Sequence, residues 1–500
     1  MTLRISRFCL AFSALFAVSA QAQHLPEPEE QVVIVDASSR TVRQLLGNRF
    51  GHLMFDWKTH QARLETRTQD RQWLRVQQID WRVDNAATQA LQTSLQPVSS
   101  LRAIDGFACY RTVEETSDTV DDLLAAYPAL ASTQVIGESW LRTQNPAQGY
   151  DLRVLKLTNA AIGGTKPKMF VMSSVHAREY TPAELMTRYA EELLQGYGTD
   201  ANATWLLDHM EFHFLLQANP DGRKKAETGL YWRKNVNTGF CGGGDSPGID
   251  LNRNFPVFWD YSNGGSSTTA CSETFRGPSA ASEPETEAVI NYVSSIFPDT
   301  RPGDNENPTI PAASDTQGLF LDIHSHAQLV LWPWGHSTTP SGNSEALATL
   351  GMRMAWFNDY EPQQSVGLYA TRGTTDDFAY GELGVPSYTI ELGVAFFENC
   401  TTFESETAPH NLAALRYAAR TLHAPYQLPA GPDSTTLLAV PSLAVAGTPV
   451  VLQATIDDSR YRDPQQCSRT WQRKPMAAST APPKPCRPRS IPALCRPASI

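Results

Sequence analysis

At 500 residues the chain is too long for one small domain and long enough to bury a large core. Hydrophobic residues make up 41% and the formal net charge is −11, which suits a globular protein and argues against a general nucleic-acid binder. The acidic balance also aids solubility, so it excludes more than it identifies.

The chain opens with Arg4 and Arg7, an apolar run from Phe8 to Ala20, and Ala20-Gln21-Ala22. A positive start, a short apolar stretch and an A-x-A site predict a secretory signal peptide over 1–22. The run is too short to span a membrane, and no other stretch reaches about 18 apolar residues. A soluble, exported mature chain with no membrane partner is expected. In an oxidising compartment Cys109, Cys241, Cys271, Cys400, Cys467, Cys486 and Cys495 read as disulfide formers. No C-x-x-C pair points to a cysteine zinc site, and spacing does not give the connectivity.

Residues 23–105 mix short apolar runs with many charges and fit a small α+β domain. A helical period runs from Val113 to Ala126. From there strands and helices alternate. Strands are predicted at 151–158, 168–174, 211–217, 319–323 and 388–392. Helices are predicted from Thr181, with Pro182 in the first turn, and over 283–297, 343–360 and 408–426. This alternation predicts an α/β domain over about 106–428, with a mixed, mostly parallel central sheet flanked by helices. Beyond it, 429–458 reads as a linker or partial β module. From Ser459 onward there are nine Lys or Arg, one acid, eight Pro and three Cys, which predicts a disordered basic tail over 459–500. The abrupt change of texture also suggests a shift of reading frame in the gene near residue 459.

His176 and Glu179 stand three residues apart in VHAREYTPAE. The spacing recurs at His24 and Glu27, so spacing alone decides nothing. Context separates the two. His24 lies in a Pro- and Glu-rich stretch with no strand before it. His176 follows the predicted strand 168–174, His324 follows 319–323, and Glu391 sits near the end of 388–392. In open α/β sheets, sites form outside the carboxyl ends of strands. Two histidines and one carboxylate make a zinc set with a fourth position open for water. Taken singly, either histidine would more often be a satisfied polar residue at a strand end.

The ordered motifs His176-x-x-Glu179, Trp232-Arg233-Lys234, DLNRNF (250–255), DIHSHAQ (322–328), LYATRGTTDDF (368–378) and TIEL (389–392) resemble the zinc metallocarboxypeptidase family of A/B type. The similarity covers roughly 106–428, and the 22 residues from Tyr369 to Glu391 match that family's gap. The resemblance implies one Zn²⁺ held by His176, Glu179 and His324, which would acidify water and polarise the scissile carbonyl. It implies Glu391 as general base and Arg233 as oxyanion stabiliser. Asn252 and Arg253 would take the free C-terminal carboxylate of a peptide or protein, Tyr369 would close over it, and Arg178 would be a secondary contact. His326 would be a neighbour on the His324 face of its strand, at a position where the family often has Tyr. Asp322 is a candidate support for His324, or simply structural.

Asp376, seven residues after Tyr369, is the B-type pattern that favours C-terminal Lys or Arg. Arg372 could neutralise it, and Asp376 could instead cap a helix beginning near Phe378. The resemblance also implies a Cys241–Cys271 disulfide; Cys109–Cys400 is expected because those two cysteines remain at the ends of the domain. It implies that 23–105 is a pro-segment released by an activating protease, with a permanent accessory domain as the alternative, and a monomeric enzyme. Two other readings stand beside it: a related amidohydrolase acting on cell-wall peptides, and an inactive carboxypeptidase-like binding protein. Asn252, Arg253 and Tyr369 weigh against the first, Glu391 and Arg233 against the second.

Overall fold

The computed structural model describes residues 30–94, 103–244, 246–445 and 448–461; the expected signal peptide and most of the basic tail lie outside them. Residues 30–94 form a small α+β unit, as expected. Its strands β1 (Gln31–Asp36), β2 (Met54–Asp56), β3 (Gln61–Thr66) and β4 (Trp81–Val83) pair antiparallel in the order β2-β3-β1-β4. Helices α1 (Arg40–Phe50), α2 (Thr68–Val76) and α3 (Asn85–Ser94) connect and follow them. β3 turns Ala62, Leu64 and Thr66 inward at alternate positions, the period-2 signature of a half-buried strand. α1 ends at Gly51, whose φ of 66° places it in the left-handed region that glycine adopts without strain.

The body begins with α4 (Val113–Ala126), set by a capping box between Thr112 and Glu115. β5 (Ala131–Glu138), α5 (Trp140–Gln144), β6 (Asp151–Leu157), β7 (Lys168–Ser173), α6 (Thr181–Gly196), α7 (Ala201–His209), β8 (Glu211–Leu215) and α8 (Pro220–Ala226) follow. A long loop then leads to α9 (Pro284–Ile296), β9 (Leu319–Ser325), β10 (Leu329–Trp332), α10 (Ser344–Asn358), β11 (Glu361–Gln364), α11 (Thr375–Leu383), β12 (Ser387–Leu392), a short α12 (Cys400–Thr402) and α13 (Ala408–Arg420).

Eight of these strands form one sheet in the order β11-β10-β12-β9-β7-β8-β6-β5. The four central strands β12, β9, β7 and β8 are all parallel, while β10, β6 and β5 join antiparallel, so the sheet is mixed with a parallel centre as expected. Buried on both faces, central strands such as β9 (Leu-Phe-Leu-Asp-Ile-His-Ser) are near-continuous apolar runs. Phe170, Phe212, Phe214 and Phe320 are fully buried in this core, each worth roughly 1.5–3 kcal/mol of transfer free energy.

Both expected disulfides are present. Cys241–Cys271 closes the long loop before α9, and Cys109–Cys400 ties the start of the body to α12. Residues 429–458 form an antiparallel hairpin of β13 (Asp433–Val440) and β14 (Val451–Asp457). Arg353, buried on α10, anchors it through Asp433, Asp458 and the carbonyls of Pro429 and Gly431. No helix among the described residues is long and apolar enough to cross a membrane.

The N-terminal turn of α9 is a polar buttress. Glu285 accepts from the Trp140 amide at 2.7 Å, and Glu283 accepts from Asn235 at 2.7 Å, two residues beyond Arg233. Burial pushes the Glu285 carboxyl up to about 8, with Glu283 and Asp221 adding repulsion. The folded chain therefore holds a proton that the unfolded chain releases near 4.5, so this contribution is lost as pH rises through about 8. The melting temperature should fall between pH 5 and 8 more steeply in the wild type than in Glu285→Gln. Equal slopes in calorimetric scans would contradict this.

Candidate metal centre

Three adjacent parallel strands deliver the site. In the order β12, β9, β7, they carry Glu391, His324 and, on the turn after β7, His176 and Glu179. β9 extends two residues past the predicted end, so His324 is a strand residue paired with Glu391 across the ladder. All three donor side chains are buried. His176 Nδ1 lies 2.8 Å from Glu179 Oε1, His324 Nδ1 lies 3.1 Å from Glu179 Oε2, and the two Nδ1 atoms are 3.0 Å apart.

The other ring nitrogens decide whether a metal fits. His176 Nε2 is 3.1 Å from Asp250 Oδ1, and His324 Nε2 is 2.8 Å from Asp322 Oδ2. A carboxylate can only accept, so each Nε2 is placed to donate to its aspartate, and with the proton held there each Nδ1 is left with a lone pair for a metal ion. In that tautomer two lone pairs and the Glu179 carboxylate converge. That arrangement is repulsive in a dry interior unless a cation sits there, and two imidazoles with one carboxylate suit zinc. Burial opposes the charge on Glu179, but the positive charge of its two histidines when protonated outweighs it and holds the carboxyl well below the usual range; a cation between them would act in the same sense.

Asp250, the first residue of DLNRNF, is not singled out by any spacing in the sequence. It is nevertheless the hub of the site: one oxygen faces His176, and the other accepts from Arg233 Nε at 3.2 Å and Nη2 at 3.0 Å. Burial opposes its ionisation, yet Arg233 and His176 win and hold it well below the usual carboxylate range. Glu391 is treated oppositely. Among the described residues its Oε2 has no hydrogen-bond partner, and burial pushes its carboxyl up to about 7.

The remaining predicted residues line the same edge. Asn252 accepts from the Thr375 amide at 3.0 Å, with its Nδ2 3.3 Å from His324 Nε2. Arg253 is buried and donates to the carbonyls of Gly265 and Asn252; among the described residues it has no ion-pair partner. Arg178 donates to the Phe50 carbonyl at 2.7 Å and pairs with Glu273 at 3.2 Å. The Tyr369 hydroxyl donates to the Gly51 carbonyl at 3.1 Å.

Three expectations need correction. Arg372 does not neutralise Asp376; its guanidinium is spent on Ser266 and the Tyr261 carbonyl. Asp376 does not cap a helix near Phe378, because α11 already begins at Thr375. It accepts instead from the Ser365 hydroxyl at 2.9 Å, and burial beside Asp377 pushes it up to about 6. His326 lies one residue beyond the end of β9, so the strand alternation expected to set its face does not reach it, though it remains close enough to Glu179 to feel its charge. Its ring packs 4.2 Å from His52, and its Nε2 is 3.5 Å from Glu65, both in the N-terminal unit.

A buried two-His, one-Glu set at the carboxyl edge of a mixed α/β sheet, with a further carboxylate on the next strand, is a donor set that could hold one metal ion. A family profile described as zinc carboxypeptidase matches residues 116–405, and the chain belongs to the zinc carboxypeptidase family. Human carboxypeptidase A1 is 30% identical over 306 residues, covering 59% of this chain and 65% of that protein. Pig carboxypeptidase A1 is 28% identical over 299 residues, covering 57% and 63%. The chain thus spans somewhat less than two thirds of the length of these curated relatives. In fold, it is similar to thrombin activatable fibrinolysis inhibitor (TM-score 0.61, 22% identity, 79% of this chain and 99% of that one). Carboxypeptidase A from Helicoverpa armigera is comparable (TM-score 0.61, 24% identity, 79% and 98%).

If Asp250 fixes His176 as described, Asp250→Ala should weaken zinc binding by about 10–100-fold. Competition with a chromophoric chelator measures this, and an unchanged affinity would contradict it.

Proposed function

We propose that this chain is an exported, monomeric zinc carboxypeptidase that hydrolyses the C-terminal peptide bond of peptides and proteins. The observation that carries this reading is the convergence of His176, Glu179 and His324 beside Glu391 on the next strand. Zinc, when bound, supplies a Lewis acid that lowers the pKa of water and polarises the peptide carbonyl. Glu391 takes the proton of the attacking water and passes it to the leaving amine, a task suited to a carboxyl raised to about 7. Arg233, held by Asp250, presents fixed positive charge to the developing oxyanion.

Exopeptidase action needs recognition of a free carboxylate. A buried arginine without an ion-pair partner is costly, and among the described residues Arg253 has none, so a substrate carboxylate would satisfy it. Asn252 and Tyr369 add donors. Asp376, left unpaired by Arg372, supports a preference for C-terminal Lys or Arg.

Residues 23–105 act in this proposal as a pro-segment that an activating protease removes. The support is direct contact: the carbonyls of Phe50 and Gly51 take the hydrogen bonds of Arg178 and Tyr369. Two glycines permit it. A Cβ on Gly51 would lie 2.7 Å from the Arg233 guanidinium, and one on Gly47 would lie 2.6 Å from the Tyr369 ring.

Assays on peptides ending in Lys, Arg, Phe and Leu should show release of single C-terminal residues, fastest for Lys and Arg. Glu391→Gln should keep its zinc and lose about 10²–10⁴ in turnover. A preference for Phe would remove the basic-pocket reading, and a fully active Glu391→Gln would remove the base assignment. Gly47→Leu, which favours helix but collides with Tyr369, should raise the activity of the unprocessed chain several-fold. No gain, with the N-terminal unit still folded, would contradict the covering role.

A further inference from the structure

Asp322 lies two residues before His324 on β9, on the same face of the strand, and is fully buried. Its Oδ2 sits 2.8 Å from His324 Nε2 and accepts from the Thr375 hydroxyl at 2.6 Å. Thr375 is the first residue of α11, and its amide is fixed in turn by Asn252 Oδ1 at 3.0 Å. A chain of contacts therefore runs from the start of α11, through the Asp322 carboxylate, to the ring nitrogen opposite the donor atom of His324.

A cation held by His176, Glu179 and His324 requires one tautomer of His324. With the proton on Nε2, His324 donates to Asp322 and turns a bare Nδ1 toward Glu179 and His176. With the proton on Nδ1, that nitrogen could not ligate a metal ion, and the Nε2 lone pair would face a carboxylate oxygen at 2.8 Å. Asp250 stands in the same relation to His176, but it also carries Arg233. Among the described residues Asp322 has no arginine partner; its second support is the Thr375 hydroxyl, and its Oδ1 has no hydrogen-bond partner there.

We propose that Asp322, braced by Thr375, is a positioning residue that fixes the tautomer and aim of His324 and so sets the affinity and geometry of the metal site. This rests on the reading of His324 as a zinc donor. Because the brace is the first residue of α11, the helix that carries Asp376, the metal ligand and the side-chain-selecting region share one support.

The test uses the full chain with Asp322→Ala, Asp322→Asn and Thr375→Val. It measures zinc affinity by chelator competition, the visible spectrum of the Co²⁺-loaded protein, and melting of the metal-free protein. Asp322→Ala should weaken zinc by about 10–100-fold and alter the Co²⁺ bands. Asp322→Asn keeps an acceptor for the Nε2 proton and should recover part of that loss. Thr375→Val should shift affinity in the same direction by less, with unchanged melting of the metal-free protein. The proposal is overturned if folded Asp322→Ala binds zinc within about twofold of wild type with an unaltered Co²⁺ spectrum. Should Asp322→Ala fail to fold, wild-type affinity and spectrum in Thr375→Val overturn it. A wild-type chain that takes up no zinc removes the metal reading itself, whereas a null result confined to the variants removes only the role of Asp322.

Discussion

The site rests on one electrostatic constraint: two imidazole nitrogens lie 3.0 Å apart in a buried site, each within 3.1 Å of a different oxygen of one carboxylate. Nothing in the backbone requires this. It is enforced from behind, where Asp250 and Asp322 take the opposite ring protons. The strands make the constraint affordable. Parallel β7, β9 and β12 bring their carboxyl ends to one edge, so groups distant in sequence meet without long loops. The sheet's apolar faces supply the rigidity that holds like-charged groups together.

The same edge explains the chemistry and its covering. Asp250 and Glu391 are both carboxylates beside the metal donors, yet their surroundings drive them apart. Asp250 is ionised by Arg233 and His176, while Glu391 loses water and gains little in exchange. One is thereby a fixed structural charge and the other a group that exchanges a proton near neutral pH. Above them sits the end of α1. There the carbonyls of Phe50 and the left-handed Gly51 accept from Arg178 and Tyr369, the groups proposed to contact substrate.

Much of this was legible in the sequence because it is carried by pattern. The apolar run at 168–174 and the helical periods of α4, α6 and α9 fix their elements to within two residues, whereas the helix expected over 408–426 ends at Arg420 and the strand expected over 319–323 runs on to Ser325. What pattern cannot carry is partnership. β5 reads as polar because its side chains face solvent, and β11, Glu-Pro-Gln-Gln, has almost no apolar content. Both are strands only because a neighbour supplies the ladder. Asp250 looks like any aspartate opening a turn, and its role appears only when His176 and Arg233, 74 and 17 residues away, arrive beside it. Arg372 fails as a neighbour of Asp376 for the converse reason: four residues apart in sequence, they face different partners.

The central claim is that His176, Glu179 and His324 hold one zinc ion. X-ray absorption at the zinc edge of the purified full chain tests it most directly. The account predicts only nitrogen and oxygen neighbours at about 2.0–2.2 Å, including an imidazole signature that weakens in His324→Ala. A protein without zinc, or a shell containing sulfur at about 2.3 Å, would contradict it.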